Sequence, residues 1–215
     1  MANHRVSGQL VPDAVSGHVA LEIANTRAGW GTDRPREYLV SYDALAVWAG
    51  DVGLVSPGEV RLLRRQAAER PALATRQVRA AIELREAWYA VATAGGAGRH
   101  PDEADLAVLA AAVERATRVS RLEPLVDGRV VLDGGDPDRA GPALPVHRAA
   151  LAAYDLMASG GAAHVGRCGG AGCGWLFHDP THRRHWCIMA ICGNRAKARA
   201  YAQRRREQAA SPSTA

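Results

Sequence analysis

The chain of 215 residues is long enough for one medium-sized domain, or for one domain followed by a small module. Its hydrophobic fraction of 47% is typical of a globular protein, and no run approaches the roughly 18 apolar residues of a membrane span. No charged-then-apolar leader precedes a cleavage site, so we expect a bacterial-type cytoplasmic protein with reduced thiols and no membrane contact. The formal net charge is +5.

The first part of the chain predicts short helices separated by loops. Ser41 is a helix-capping residue, and Ser56-Pro57-Gly58-Glu59 has the pattern of a capping box with proline at the first helical position. In chain order the sequence predicts an irregular start over 1–15, a buried helix or alternatively a strand over 17–27, a loop over 28–36, a helix over 41–50 and a helix over 56–69.

The following part alternates between helical and turn patterns. Apolar residues recur at helical spacing around Val78 and Ile82, while Asp127-Gly128 between short apolar runs indicates a β-hairpin. The predicted elements are a helix over 75–93, a helix that Asp102 opens, a hairpin over 122–132, an exposed loop over 133–142 and a helix over 145–157. Together these elements predict a helical domain over 16–160.

All four cysteines lie close together, in two pairs of equal spacing: Cys168-x4-Cys173 and Cys187-x4-Cys192. Zinc prefers four tetrahedral ligands, and each short loop turns two thiolates toward one ion. Two disulfides or four unrelated buried cysteines are the alternatives. Paired short spacing favours metal in a chain without a secretory signal, so we predict one structural Zn²⁺ per chain.

The segment around the cysteines predicts a small β-hairpin followed by a helix. An apolar stretch over 175–178 is followed by the turn residues Asp179-Pro180-Thr181, and 184–186 predicts the returning strand. After Cys192 the chain is rich in strong helix formers. This order is that of a treble-clef finger over 164–208, so the expected fold is mainly α with a small β-hairpin, a helical N-terminal domain and a C-terminal treble-clef-like four-cysteine zinc finger.

Basic residues concentrate in the same segment. Residues 164–206 hold nine basic side chains and one acidic side chain, a net +8, which leaves −3 for the rest of the +5 chain. This distribution favours a polyanion contact, although a solvated helix face is the simpler alternative. The candidate DNA-binding residues are Arg183, Arg184, Arg195, Lys197, Arg199, Arg204, Arg205 and Arg206.

The same residues carry a family resemblance. The pattern Cys173-Gly174-Trp175-x-Phe177-x-Asp179, followed by Trp186-Cys187-x-Met189-x-x-Cys192-Gly193-Asn194-Arg195-x-Lys197-x-Arg199, resembles the CGNR-type zinc finger. The segments 21–26 and 42–48 resemble the opening of the ABATE domain, which precedes that finger in the family. The resemblance implies a bacterial transcription regulator, often described as stress-induced, with the finger as its DNA-binding part.

Other polar candidates have simpler explanations beside their functional ones. Asn25 and Thr26 lie at the end of a buried helix, where they would line a ligand pocket or form hydrogen bonds in the core. His178, His182 and His185 lie inside the finger, but four thiolates already saturate a structural zinc, which favours a phosphate contact or plain surface for them. Asn194 and Arg195 adjoin the last ligand, and Arg195 would either brace Asp179 or contact phosphate.

These observations predict a DNA-binding transcription regulator. Its helical domain would sense a small-molecule effector, form a homodimer, or both. One alternative is a small-molecule enzyme with its active site in the helical domain and a purely structural zinc. Another is an RNA- or protein-binding adaptor. No Walker loop, dinucleotide fingerprint, nucleophile elbow or carboxylate dyad is present in the sequence, which weakens the enzyme alternative.

Overall fold

Residues 2–210, which the computed structural model describes, form helices joined by four antiparallel strand pairs. The helices are α1 (Val19–Glu22), α2 (Tyr42–Asp51), α3 (Pro57–Glu69), α4 (Pro71–Gly96), α5 (Glu103–Thr117), α6 (Pro137–Ala140), α7 (Leu144–Ala158) and α8 (Asn194–Ala210). The strands are β1 (Asn3–Val6), β2 (Gln9–Pro12), β3 (Arg27–Ala28), β4 (Arg36–Glu37), β5 (Leu122–Pro124), β6 (Val130–Leu132), β7 (Val165–Arg167) and β8 (Leu176–His178). The mainly α fold with small hairpins is confirmed.

Capping residues set where the helices begin. The Ser41 hydroxyl accepts a hydrogen bond from the Ala44 amide, so α2 begins at the predicted place. The capping box of α3 is formed in both directions: the Glu59 amide donates to Ser56 Oγ at 3.2 Å, and the Ser56 amide donates to Glu59 Oε2 at 2.6 Å. These local bonds satisfy amide groups that have no partner within the helix.

The core of the helical domain forms around α4, which runs for 26 residues and packs against α2, α5 and α7. Trp48 and Trp88 are fully buried in this core, and Trp88 Nε1 donates to the Ala20 carbonyl at 2.7 Å. Helix α4 is longer than predicted at both ends. It begins at Pro71, and at its C-terminal end Gly95 and Gly96 remain helical. A Cβ on Gly96 would come within 1.9 Å of the Val165 carbonyl oxygen, so close packing on β7 requires glycine here.

The loop before α2 is fastened to α4 by a buried arginine. Arg85 is 1% exposed, and its guanidinium donates to both carboxylate oxygens of Glu37 at 2.7 and 2.8 Å. The guanidinium also donates to Glu86 Oε1 at 2.8 Å and to Thr26 Oγ1 at 3.4 Å. This network fixes the β3–β4 pair against the long helix.

Some of the other elements predicted for the helical domain and the segment before it are wrong or incomplete. The irregular start over 1–15 is a hairpin of β1 and β2, because Ser7 and Gly8 both adopt positive φ values of 48° and 82° and make a tight turn. The segment 17–27 is helical only in two short pieces. The loop 133–142 contains α6, which Asp136 caps. The hairpin of β5 and β6 is confirmed, with Leu122 opposite Leu132.

The finger hairpin differs from the predicted one. Strand β8 pairs with β7, which precedes the first cysteine, and the register places Val165 opposite His178. Residues 184–186 form no strand, because β7 pairs with one edge of β8, Asn25 and Ser16 bond to the other edge, and Arg184 turns inward. No helix within residues 2–210 is both long and apolar enough to cross a membrane.

Candidate zinc centre and basic helix

The first cysteine pair lies in the turn between β7 and β8. The Cys168 amide donates to the Trp175 carbonyl at 2.8 Å, and the Cys173 amide donates to the Gly170 carbonyl at 2.9 Å. Gly172 and Gly174 have φ values of 71° and 74°, in the left-handed region that glycine adopts without strain. The glycines around this pair therefore permit a knuckle that turns both thiols inward.

The second pair lies where the chain enters the C-terminal helix. The Cys192 amide donates to the Ile188 carbonyl at 2.9 Å, and a single π turn over Met189–Gly193 leads into α8. A Cβ on Gly193 would come within 2.3 Å of the Met189 sulfur, so glycine lets this side chain pack closely against the turn. The last cysteine therefore lies directly before the start of α8.

The four thiols meet at one point. Their sulfur atoms all lie within 4.8 Å of one another, and Cys187 Sγ is 3.6 Å from both Cys173 Sγ and Cys192 Sγ. Sulfurs on a tetrahedral zinc with bonds of about 2.3 Å are about 3.8 Å apart, so the cluster has the size of a zinc site. The four cysteines hold one structural zinc, whose role is to crosslink the knuckle and the helix start.

The protonation of the thiols supports the same assignment. The hydrogen bond with Cys173 lowers the pKa of Cys168, whereas the bond to the Cys168 thiolate raises the pKa of Cys187. All four cysteines are buried. Four thiolates this close cannot ionise together without a cation, so the donor set fits a divalent metal that accepts sulfur ligands.

The finger is docked on the helical domain through its aromatic residues. Trp175 Nε1 donates to the Arg27 carbonyl at 3.0 Å, and the Trp30 amide donates to the Cys173 carbonyl at 3.3 Å. The Tyr89 hydroxyl donates to the Gly174 carbonyl at 2.8 Å, and its ring stacks on Trp30 with centroids 3.6 Å apart. Trp30 and Tyr89 were not anticipated, because each lies far from the cysteines in sequence and carries no local signal.

Asn25 joins the two domains through hydrogen bonds. Its amide nitrogen donates to the Leu176 carbonyl at 3.0 Å, and its amide oxygen accepts from the Leu176 amide at 2.9 Å. Thr26 Oγ1 donates to the Ile23 carbonyl at 2.6 Å. Both residues are fully buried, so core hydrogen bonding accounts for them. Asn25 completes the hydrogen bonds of β8 in the way that a neighbouring strand would.

We expect Asn25→Ala to lower the free energy of unfolding by about 2–5 kcal/mol, because it leaves the buried N–H and C=O of Leu176 without partners. Chemical denaturation followed by circular dichroism measures this loss. Gln203→Ala is the matched control, because Gln203 is an exposed amide on α8 whose side chain bonds to Glu207. Equal stability of the two variants would contradict the bridging role of Asn25.

Arg184 is held inside the finger. Its guanidinium donates to the Val15 carbonyl at 2.6 Å and to the Cys187 carbonyl, and it lies 4.7 Å from the centroid of the Phe177 ring. Arg184 therefore connects the N-terminal segment to the second cysteine pair.

Asp179 closes the turn beside Arg184. Its carboxylate accepts from the backbone amide of Arg184 at 2.6 Å and from Thr181 Oγ1 at 2.7 Å, which lowers the pKa of Asp179 to about 2. Its side-chain partners are Thr181 and Arg184, and within the described part of the chain no ion pair joins it to the exposed Arg195.

The other basic candidates are exposed. Arg183 lies in the loop after β8, and the rest lie along α8, whose packing is chiefly against the π turn at its own start. Asn194 is exposed too, and its amide nitrogen donates to the Ala190 carbonyl at 3.1 Å. The exposed set contains Arg183, Arg195, Lys197, Arg199, Arg204, Arg205 and Arg206.

Comparison with known families agrees with this architecture. The ABATE family model, described as "Putative stress-induced transcription regulator", matches residues 17–160, and the CGNR zinc finger model matches residues 164–205. A search of curated proteins gave no match. The family resemblance of the sequence is thus confirmed on both parts of the chain. Since the first model covers more than half of the chain, the protein belongs to the ABATE family and carries a CGNR zinc finger after its ABATE domain.

Proposed function

We propose that the protein is a DNA-binding transcription regulator that contacts DNA through α8. The observation that carries this proposal is the exposure of a basic helix anchored at one end by the zinc cluster. Helix α8 has 17 residues and is about 25 Å long. All residues over 197–208 are exposed, so this part of the helix has no buried face. A helix that is polar all round gains little from packing, so its sequence favours another partner.

The charges on α8 are arranged in two rows. At about 100° per residue, Arg195, Arg199 and Arg206 fall within about 40° of one another. Lys197 and Arg204 form a second row on the opposite side, next to the uncharged Tyr201, and Arg205 lies between the two rows. The major groove, about 12 Å wide, admits one helix with phosphates on both flanks, which suits a helix with two basic rows.

The charge balance of the chain supports the same surface. The finger segment 164–206 carries +8 and the remainder −3, so the attraction to a polyanion resides in the finger. Arg184 is engaged in internal hydrogen bonds, so the proposed surface leaves it out and keeps Arg183. The proposal assigns the zinc a structural role, which is to hold the start of α8.

We further propose that the ABATE domain senses an effector or forms the homodimer. A cavity of about 700 Å³ opens between the start of α2 and the helices α3 and α4. Leu39, Val78 and Ile82 line it with apolar surface, and Arg79 adds a positive charge at its wall. A small apolar molecule that carries a negative group matches this lining.

The proposal is tested by replacing Arg204, Arg205 and Arg206 together with glutamine. These residues lie beyond the first turns of α8, so zinc content should not change. Loss of three phosphate contacts should reduce the slope of log affinity against log salt by about 2.7 and weaken binding by about a hundredfold at low salt. Fluorescence anisotropy with a random-sequence duplex measures both quantities.

A matched control replaces three exposed arginines of the helical domain, Arg61, Arg65 and Arg76, with glutamine. The proposal expects the control to keep the wild-type salt slope. Equal losses in both triple variants would show that the contact is not specific to α8. Preference for RNA over the duplex would favour the adaptor alternative. Turnover of a small molecule without any DNA binding would favour the enzyme.

A further inference from the structure

Four histidines converge where the linker between the two domains meets the finger. His18 caps α1, His164 directly precedes β7, His178 ends β8 and His182 lies in the following loop. The ring of His178 lies 5.7 Å from that of His18 and 6.0 Å from that of His164, and the rings of His164 and His182 are 5.2 Å apart. Neither the zinc cluster nor the basic helix uses these side chains.

The closest pair has the spacing of two ligands on one metal ion. His164 Nδ1 lies 3.2 Å from His182 Nε2. With metal–nitrogen bonds of about 2.0–2.1 Å, two imidazole nitrogens on a tetrahedral ion are about 3.3 Å apart, and their ring centroids are about 5 Å apart. Both observed distances fall close to these values, and a metal ion would replace the proton of the hydrogen bond that now joins the two nitrogens.

A third ring nitrogen nearby lacks a partner. His178 Nε2 is buried, and it neither accepts nor donates a hydrogen bond within the described part of the chain. Such a group is costly to bury, and a metal ion satisfies it as well as a hydrogen bond does. His18 is less available, because its Nδ1 accepts from the Ala20 amide at 3.2 Å.

The backbone around these residues is fixed in place. The Asp179 amide donates to the His164 carbonyl at 2.8 Å, and the His178 amide donates to the Ser16 carbonyl at 2.7 Å. His182 adopts a φ of 54°, which is uncommon outside glycine, and this conformation accompanies the position of its ring beside His164. Uncommon backbone conformations of this kind persist at sites where the surrounding structure determines them.

We propose that His164, His178 and His182 bind a second divalent transition-metal ion, separate from the zinc of the four cysteines. Neutral imidazole suits Zn²⁺, Ni²⁺, Cu²⁺ and Fe²⁺, and it does not suit Mg²⁺ or Ca²⁺. His164 and His182 are already in position. Among residues 2–210 only the cysteines form a set of three or more whose ligand atoms already converge, so His178 joins by turning its ring.

Three protein ligands leave a fourth tetrahedral position for water, and the partial exposure of the site gives the ion a path from solvent. Because one ligand precedes β7 and two lie at or after the end of β8, the ion would clamp the loop after β8 to the linker. That loop carries Arg183, so binding at the histidines would reach the basic surface of the finger. Metal binding itself does not depend on the proposed DNA contact.

The test begins with protein that holds one zinc in its cysteine cluster. Equilibrium dialysis against rising concentrations of free Zn²⁺, followed by elemental analysis, should show a second equivalent per chain. His164→Ala/His182→Ala should keep the first equivalent and weaken the second by at least about tenfold. His185→Ala is the matched control, because His185 is exposed in the same loop and lies outside the cluster, and it should still bind both.

A measurement on the unaltered protein guards against misfolding of the double variant. The second zinc should shift the ring nitrogen resonances of His164, His178 and His182 in NMR spectra and leave those of the exposed His100 unchanged. A single zinc per chain at every free concentration would overturn the proposal. A second equivalent that persists undiminished in the double variant, or is lost equally in His185→Ala, would overturn it as well.

Discussion

Cys187→Ser should abolish stoichiometric zinc binding and unfold the finger. Structural zinc contributes apparent free energies of about 10–16 kcal/mol in zinc-finger peptides, and a site short of one thiolate loses much of that contribution. Cys187 lies 3.6 Å from two of its partners, so its loss opens the centre of the cluster. Elemental analysis and limited proteolysis of residues 164–206 measure the two effects.

The helical domain should keep its helices in this variant but melt at a lower temperature. The cysteines share a small core with Ala28 and Tyr38, and Trp175 bonds to the Arg27 carbonyl, so unfolding of the finger exposes part of the domain beneath it. Ala190→Ser is the control, because Ala190 is exposed in the same turn and is no ligand. Normal zinc content with unchanged melting in Cys187→Ser would disprove the four-cysteine site.

Glu37→Ala should lower the free energy of unfolding by about 2–4 kcal/mol, because it leaves the buried Arg85 guanidinium without its bidentate partner. Glu86 remains as one acceptor, which limits the loss. For a chain of this size the melting temperature should fall by about 10 °C. Calorimetry measures the change, and zinc content should stay at one equivalent.

Two comparisons make this result specific. Glu37→Ala/Arg85→Met should be less destabilised than Glu37→Ala alone, because the double variant removes the buried charge together with its partner. Glu114→Ala disrupts the exposed pair of Glu114 with Arg118 and should change stability little. A double variant that is less stable than the single variant would show that Arg85 contributes by packing and not by its charge.

The features that the sequence predicted correctly are those determined by nearby residues. The spacing of Cys168 and Cys173 places two sulfurs on one turn whatever surrounds it, and Ser56 and Glu59 cap a helix with bonds three residues apart. The Asp127-Gly128 turn likewise lies between the paired strands β5 and β6. In each case the partners are separated by a few residues, so the pattern and the contact coincide.

The features that were missed depend on partners far away in the chain. Asn25 bonds to Leu176 across 151 positions, and Arg184 bonds to Val15 across 169. Nothing around either residue distinguishes such a bridge from a pocket or a DNA contact. The sequence predicts strand β8 but not its pairing partner. The choice of β7 over 184–186 depends on Arg184, which turns inward to a distant residue. The Ser7-Gly8 turn is a local feature, but two turn residues without alternating apolar flanks do not distinguish a hairpin from an irregular segment.

Helix α4 extends from the large cavity to the strand that precedes the zinc ligands. Its 26 residues span about 39 Å. Pro71, Ala74 and Val78 near one end form part of the wall of the large cavity, and Gly96 at the other end abuts the backbone of Val165 with no side chain to cushion it. The wall of the large cavity and the strand that leads into the first zinc ligand therefore both contact one continuous helix.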